Sequence, residues 1–312
     1  MKKIYKILLV CFFSILILTA VFFLFSRNTM SPEKIITPIS ENTIPVPENT
    51  TIATTTTNIN GYTIEFVRSS YVPDAITNWS KILILKDNNI VFQTSATEDF
   101  SGFYVKDVGD WITSADEIKT KALKNVTGDR VPEIVISSYS GGAHCCSQNY
   151  IIGLTDPLHF YLNLDTGDNG IEFKDLNHDG KMEIETYEDV FAYWHTSFAA
   201  SPMPQVILSL QNGVYKADAS LMRQPTPSDT EIRAKANEVT SWSDSAGPDV
   251  AWKYAIDLIY SGNIVSARKY VDLAWRQNDP GDFGTKEEFW KELADTIHTS
   301  PYYADLKSYF GI

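Results

Sequence analysis

The sequence predicts a mainly β protein, propeller-like or sandwich-like in its repeats, followed by a small all-α domain and preceded by one N-terminal transmembrane helix. Three observations carry this prediction. Residues 7–25 form an uncharged apolar run. Residues 61–225 carry short apolar runs separated by turn residues, and apolar positions recur at helical spacing beyond residue 226. The expected segments are a cytoplasmic tip and anchor (1–27), a Thr/Pro-rich linker (28–60), a calcium-loop β-repeat domain (61–225) and a helical domain (226–312).

The anchor is ILLVCFFSILILTAVFFLF, whose only polar members are Ser14 and Thr19. Its length corresponds to roughly 28 Å of helix, close to the hydrocarbon thickness of a bilayer. Lys2, Lys3 and Lys6 precede it and only Arg27 closely follows. The positive-inside rule therefore places the N-terminus in the cytoplasm and the bulk on the periplasmic or extracellular side. A cleaved signal peptide is the alternative. Its apolar core would be shorter, and Leu24, Phe25 and Ser26 make a poor cleavage site. The linker holds four Pro and nine Thr and few bulky apolar groups, which suits an extended tether.

The net charge is −13, and the four bases of the first 27 residues are offset by no acid, so the exported part is more acidic still. Such a body repels phosphate backbones, and nucleic acid is excluded as a partner. It also supplies the carboxylates that hard cations prefer.

From Gly61 onward, Tyr62, Ile64 and Phe66 alternate with polar residues, as in a strand with one buried face. Three strand–turn–strand units follow. They turn through Asp87-Asn88-Asn89, Asp156-Pro157 and Asn212-Gly213. A second repeat is interleaved. KNVTGDRVPEI at 124–134 aligns without gaps with KDLNHDGKMEI at 174–184, a spacing of 50 residues. A period of that length with a short strand unit suggests blade-like stacking.

The second copy reads Asp175-x-Asn177-x-Asp179-Gly180-x-x-Glu183. Calcium takes six to eight hard oxygens, and side chains at positions 1, 3 and 5 of a tight loop point inward together. Gly180 permits the turn, and Lys181 can offer its backbone carbonyl. An EF-hand would need Glu where Thr186 stands, so the loop ends at Glu183. The same residues also suit a solvated Asp-rich turn. The first copy has Asn125, Thr127, Asp129 and Glu133, but Arg130 replaces the turn glycine, and it reads as a degenerate loop held by hydrogen bonds.

A loop of this type followed by a strand resembles the FG-GAP repeats of integrin α-subunit propellers and the related VCBS-type repeats of exported bacterial proteins. The resemblance covers about residues 61–220. It implies Asp175, Asn177, Asp179 and Glu183 as calcium ligands. Position 9 is Glu rather than Asp, which lengthens the reach. A closed propeller needs at least about four blades, so a smaller propeller-like β domain is expected.

Two insertions could contact a ligand. One is Gly141, Gly142, His144, Cys145 and Cys146. Adjacent cysteines on an oxidising side either stay free or form a strained vicinal bridge. The open readings are a tight turn, a rigid ligand platform, a metal site with His144, or Cys–His nucleophilic chemistry. The other is Tyr193, Trp194 and His195, which could stack on sugar rings or serve as core. Each follows one copy of the repeat, which suggests a shared edge.

Beyond 226, Tyr254, Ala255, Leu258 and Ile259 precede a Gly262-Asn263 cap. Ile264, Ala267, Tyr270, Val271 and Ala274 follow. Thr285 and Glu288 form a capping box before Phe289, Leu293 and Ile297. About four helices are expected. The functional expectation is a membrane-anchored, calcium-stabilised binding or adhesion-type module for an unknown protein or carbohydrate, more a binder than an enzyme. The alternatives are an exported hydrolase using His144, Cys145 or His195, and an assembly protein acting through the helices. No nucleophile-elbow, zinc or phosphate motif supports the hydrolase.

Overall fold

A computed structural model describes residues 52–69, 81–95, 103–106, 111–112, 125–139, 147–240, 242 and 251–311. The apolar run 7–25, most of the linker and the segment 140–146 lie outside the described residues. Among the described residues no helix is long and apolar enough to cross a membrane.

Thirteen strands are described, in three antiparallel sheets. Sheet I runs in sequence order: β1 (Ile52–Ile59), β2 (Tyr62–Ser69), β3 (Lys81–Lys86) and β4 (Asn89–Ser95). Sheet II contains β5 (Phe103–Lys106), β6 (Trp111–Ile112), β7 (Glu133–Tyr139), β8 (Ser147–Gly153) and β9 (His159–Asp165), in the order β6-β5-β7-β8-β9. Sheet III is again a simple meander of β10 (Glu172–Lys174), β11 (Glu183–Tyr187), β12 (Gln205–Gln211) and β13 (Val214–Ala217). The order follows from the turns. Asn60-Gly61, Asp87-Asn88 and Asn212-Gly213 all adopt positive φ at both residues. That is the twist that two-residue hairpins require.

Strands β7 and β8 of sheet II are buried on both faces. Ile134, Ile136 and Ile152 join Tyr62, Ile64, Phe66, Ile82, Ile84 and Phe92 of sheet I in one cluster. Val135 and Ile151, of opposite parity, join a larger cluster with sheet III and the helices. This explains why three successive residues are apolar in β7 (Ile134–Ile136) and in β8 (Tyr150–Ile152), while β2 alternates. The layers are stacked sheets, and among the described residues no sheet closes on itself.

Six α-helices are found among the described residues: α1 (Ala219–Met222), α2 (Asp229–Glu238), α3 (Ala251–Tyr260), α4 (Ile264–Ala274), α5 (Lys286–His298) and α6 (Tyr303–Phe310). Ser228 with Glu231 and Thr285 with Glu288 both complete capping boxes at helix starts. Gly262, at φ +77°, ends α3 against the ring of Tyr309.

Two expectations about organisation change. β1 occupies most of the stretch assigned to the end of the linker, because Thr-rich sequence has good strand propensity once β2 offers a partner. The boundary at 225 is not a break in the core. One hydrophobic cluster runs from Val206, Leu208 and Tyr215 in sheet III to Ala255, Ile259 and Phe310 in the helices, and Thr50–Ile312 form one unit.

Ile136→Ala removes a fully buried side chain between sheets I and II. It is expected to lower unfolding free energy by about 2–5 kcal/mol, read from urea unfolding. A change under about 0.5 kcal/mol would argue against the stacking of these two sheets.

Candidate functional site

The two repeat loops share one backbone design. Gly128 and His178, at equivalent positions, have φ of +76° and +62°. Arg130 and Gly180, two positions on, have +69° and +83°. In each loop the final Glu opens a strand and turns its buried carboxylate back into the loop. Glu133 accepts the N–H of Val126 at 2.6 Å, and Glu183 accepts the N–H of Leu176 at 2.8 Å. The position-3 side chain then bonds the same carboxylate. Thr127 does so through its hydroxyl, and Asn177 through its amide at 3.1 Å. The position-5 Asp accepts an N–H two residues on in both cases, at 2.8 Å for Asp129 and 2.9 Å for Asp179.

The loops also lie against each other. The N–H of Met182 donates to the carbonyl of Val126 at 2.9 Å. Gly128 packs against Lys181 so closely that a Cβ would sit 3.0 Å from its Cγ. The Tyr215 hydroxyl donates to the Met182 carbonyl at 2.9 Å and lies 3.4 Å from that of Val126.

Their chemistry differs. In the first loop the Tyr161 hydroxyl donates to Asp129. Burial pushes Asp129 up, but the Tyr161 hydroxyl and the Val131 N–H outweigh it and hold the carboxyl below its ordinary value. Burial raises Glu133, against its bond from Thr127. In the second loop Asp175 accepts the N–H of Asp179 at 3.1 Å and that of Gly180 at 3.2 Å, one on each oxygen. Asn177 Oδ1 accepts the Asp179 N–H at 2.9 Å. Each of these oxygens has a further lone pair, so Asp175, Asn177 and Asp179 are hard donors with capacity for a cation. Lys181 Nζ stands 3.9 Å from Asp179 Oδ2. Among the described residues no three His, Cys, Asp or Glu side chains are grouped as metal ligands.

The segment after β11 is anchored by Glu188, which is 1% exposed. Its carboxylate accepts the hydroxyls of Tyr260 in α3 (2.9 Å) and Ser300 (2.6 Å), and the N–H groups of Asp189 (3.2 Å) and Val190 (3.4 Å). Burial nevertheless raises its pKa above the ordinary value of 4.5. From this anchor Phe191 and Trp194 enter the helical core. Trp194 packs on Trp252, Phe283 and Phe289, and is 9% exposed. Its ring is core rather than an open platform. Tyr193 is 56% exposed and touches Phe198. His195 lies between Glu292 of α5 and Asp282, the latter at 3.5 Å.

Gly141, Gly142, His144, Cys145 and Cys146 lie outside the described residues. The stems of the two insertions do meet one turn. Ser147 donates its N–H to the Gly167 carbonyl at 2.6 Å, and Asp168 donates its N–H to Asp189 at 3.4 Å. Burial raises the Asp189 carboxyl, and nearby Asp168 and Asp165 push the same way. Tyr161, Tyr215 and Glu188 escaped the sequence reading. Each acts across long sequence separation, and no local pattern marks it.

Two substitutions test this geometry. Arg130→Gly should stabilise the fold by about 0.5–1 kcal/mol, because a non-glycine residue holds a left-handed conformation there. An unchanged or lower urea midpoint would contradict the conformation assigned to the first loop. Glu188 binds its proton more tightly folded than unfolded, so its stabilising effect is full below about pH 4.5 and declines as pH rises toward its raised folded value. The stability difference between wild type and Glu188→Gln should therefore shift against wild type as pH rises through that window. Parallel pH profiles would remove Glu188 from this role.

No known protein family matches the chain, and no solved structure matches it. A probable thylakoid lumen protein of Synechocystis sp. is 32% identical over 87 residues, which is 26% of this chain and 25% of that protein. The chain thus spans about a quarter of the length of the curated relative it matches.

Proposed function

We propose that the chain is an exported, non-enzymatic binding module, held at a membrane by residues 7–25 and braced by calcium at the loop Asp175–Glu183. The observation that carries this reading is the pairing of two loops with one backbone design and unequal chemistry. The first is closed by hydroxyl donors from Thr127 and Tyr161. The second keeps three oxygen-bearing side chains, Asp175, Asn177 and Asp179, each with an oxygen that accepts backbone N–H groups of the loop itself. Asp175, Asn177, Asp179 and Glu183, with the Lys181 carbonyl, would hold the ion. It would supply positive charge to a loop that otherwise faces its carboxylates with one distant lysine.

Export is supported by the anchor-like run with its basic flank and by the lumenal name of the partly matching relative. Anchoring rests on the sequence run alone. A binding role is supported by the arrangement of the insertions, whose stems gather at the turn 165–170. Loops clustered at one edge of a rigid scaffold are a common recognition arrangement.

The test is the melting temperature of the protein in calcium and in chelator, beside Asp179→Ala. Binding to the folded state alone stabilises by about 2.7 kcal/mol when calcium is a hundredfold above Kd. The expected result is an upward shift in wild type that is absent in the variant. Equal melting temperatures in both conditions, with no calcium uptake by calorimetry, would reduce the loop to a hydrogen-bonded turn.

A further inference from the structure

A groove of about 570 Å³ lies beside the C-terminal end of α4, away from both repeat loops. That volume is within the range of small-ligand sites. Its charged walls are already engaged. Lys286 pairs with Asp272 at 2.9 Å. Arg276 spends its guanidinium on backbone carbonyls, reaching Val239 at 2.9 Å and Ala274 at 3.0 Å, so it caps the ends of α2 and α4. The lining sets two carboxylates, Asp272 and Asp279, against two cations, Arg276 and Lys286, so a ligand meets a wall of balanced formal charge.

What the groove offers instead is an aromatic wall and neutral polar groups. Trp275 lines it. The indole packs on the fully buried Trp242, at 4.8 Å between ring centroids, and on Phe289 at 6.3 Å. Trp242 is itself pinned by its N–H to the Ala274 carbonyl at 2.8 Å. Gln277, Asn278 and Thr240 line the same groove, and each carries a neutral side-chain amide or hydroxyl. Amides and hydroxyls both donate and accept. A braced indole with such groups around it suits a ligand with an apolar C–H face and a rim of hydroxyls. An anion would want a free cation, and a long apolar ligand would leave the amides unpaired.

We propose that this groove binds a neutral saccharide, one sugar ring lying on the Trp275 indole and its hydroxyls bonding Asn278, Gln277 and Thr240. The proposal rests on the binding-module reading and names its ligand class, but it does not depend on calcium.

The experiment is calorimetric and tryptophan-fluorescence titration of the full-length protein in detergent with neutral tetrasaccharides of glucose and of N-acetylglucosamine, in calcium and in chelator. Binding with Kd of about 1 mM or tighter is expected for one of them. It should change less than about twofold between 0.05 and 0.5 M NaCl, because no ion pair forms. Trp275→Ala should weaken it at least about tenfold. Asn278→Ala, which leaves the aromatic packing intact, should weaken it by about threefold or more without moving the melting temperature. Failure of both sugars to bind, or binding that both variants retain, overturns the proposal. Sugar binding that persists in chelator while the calcium melting shift is absent would sink the calcium reading alone. A calcium shift without sugar binding would sink only the saccharide.

Discussion

The buried carboxylate of Glu188 is the constraint on which the assembly of sheets and helices turns. It closes the end of β11, accepts two N–H groups from the chain that follows, and takes hydroxyls from α3 and from the α5–α6 connection. A buried acceptor of this kind is costly unless every lone pair is used, and here four donors use them. Its position sets the course of residues 189–204. Phe191 and Trp194 are delivered into the helical core only because the backbone leaves Glu188 in that direction. The helices in turn cover sheet III through α1 and α3 against β12.

The paired loops illustrate how a repeat can conserve backbone while its chemistry diverges. Both need left-handed residues at two positions, and the chain meets that need with Gly128 and Arg130 in one copy and His178 and Gly180 in the other. Glycine is free in that region and other residues are strained, so each loop carries one permissive and one costly position. The buried glutamates do equivalent work in both. The neighbouring groups differ. Tyr161 reaches Asp129 from the β9 bulge region, while Asp179 stays with its own loop. Mutual packing through Gly128, Lys181 and Tyr215 then makes each loop part of the other's wall.

Several features were legible in the residues themselves. The Asn-Gly and Asp-Asn turns announced their hairpins because only a few residues tolerate the required positive φ. The Thr285–Glu288 box announced α5 because its two bonds are local. Other features were not legible. β1 looked like linker, since Thr54–Thr57 have no apolar face and become a strand only against β2. α2 shows few apolar positions, with Ile232 and Ala236 its only buried residues, and its docking on α4 depends on Arg276 and Lys269 from elsewhere in the chain. Trp194 read more readily as core than as sugar platform, but an aromatic residue in a loop carries no mark of which side it will face.

By itself the sequence determined the class of the protein: antiparallel hairpins, a repeated Asp-rich loop and a helical C-terminal part. These rest on interactions within a few residues, where identity and spacing dictate geometry. Tertiary structure decided that β7 and β8 would be buried on both faces, that sheet III and the helices would share one core, and that the two loops would touch. It also decided that Trp275 would line a groove while Trp194 would be buried in the core shared with the helices. Such outcomes depend on which surfaces meet across fifty or a hundred residues of chain, where burial and hydrogen-bond satisfaction are settled by partners that no local pattern names.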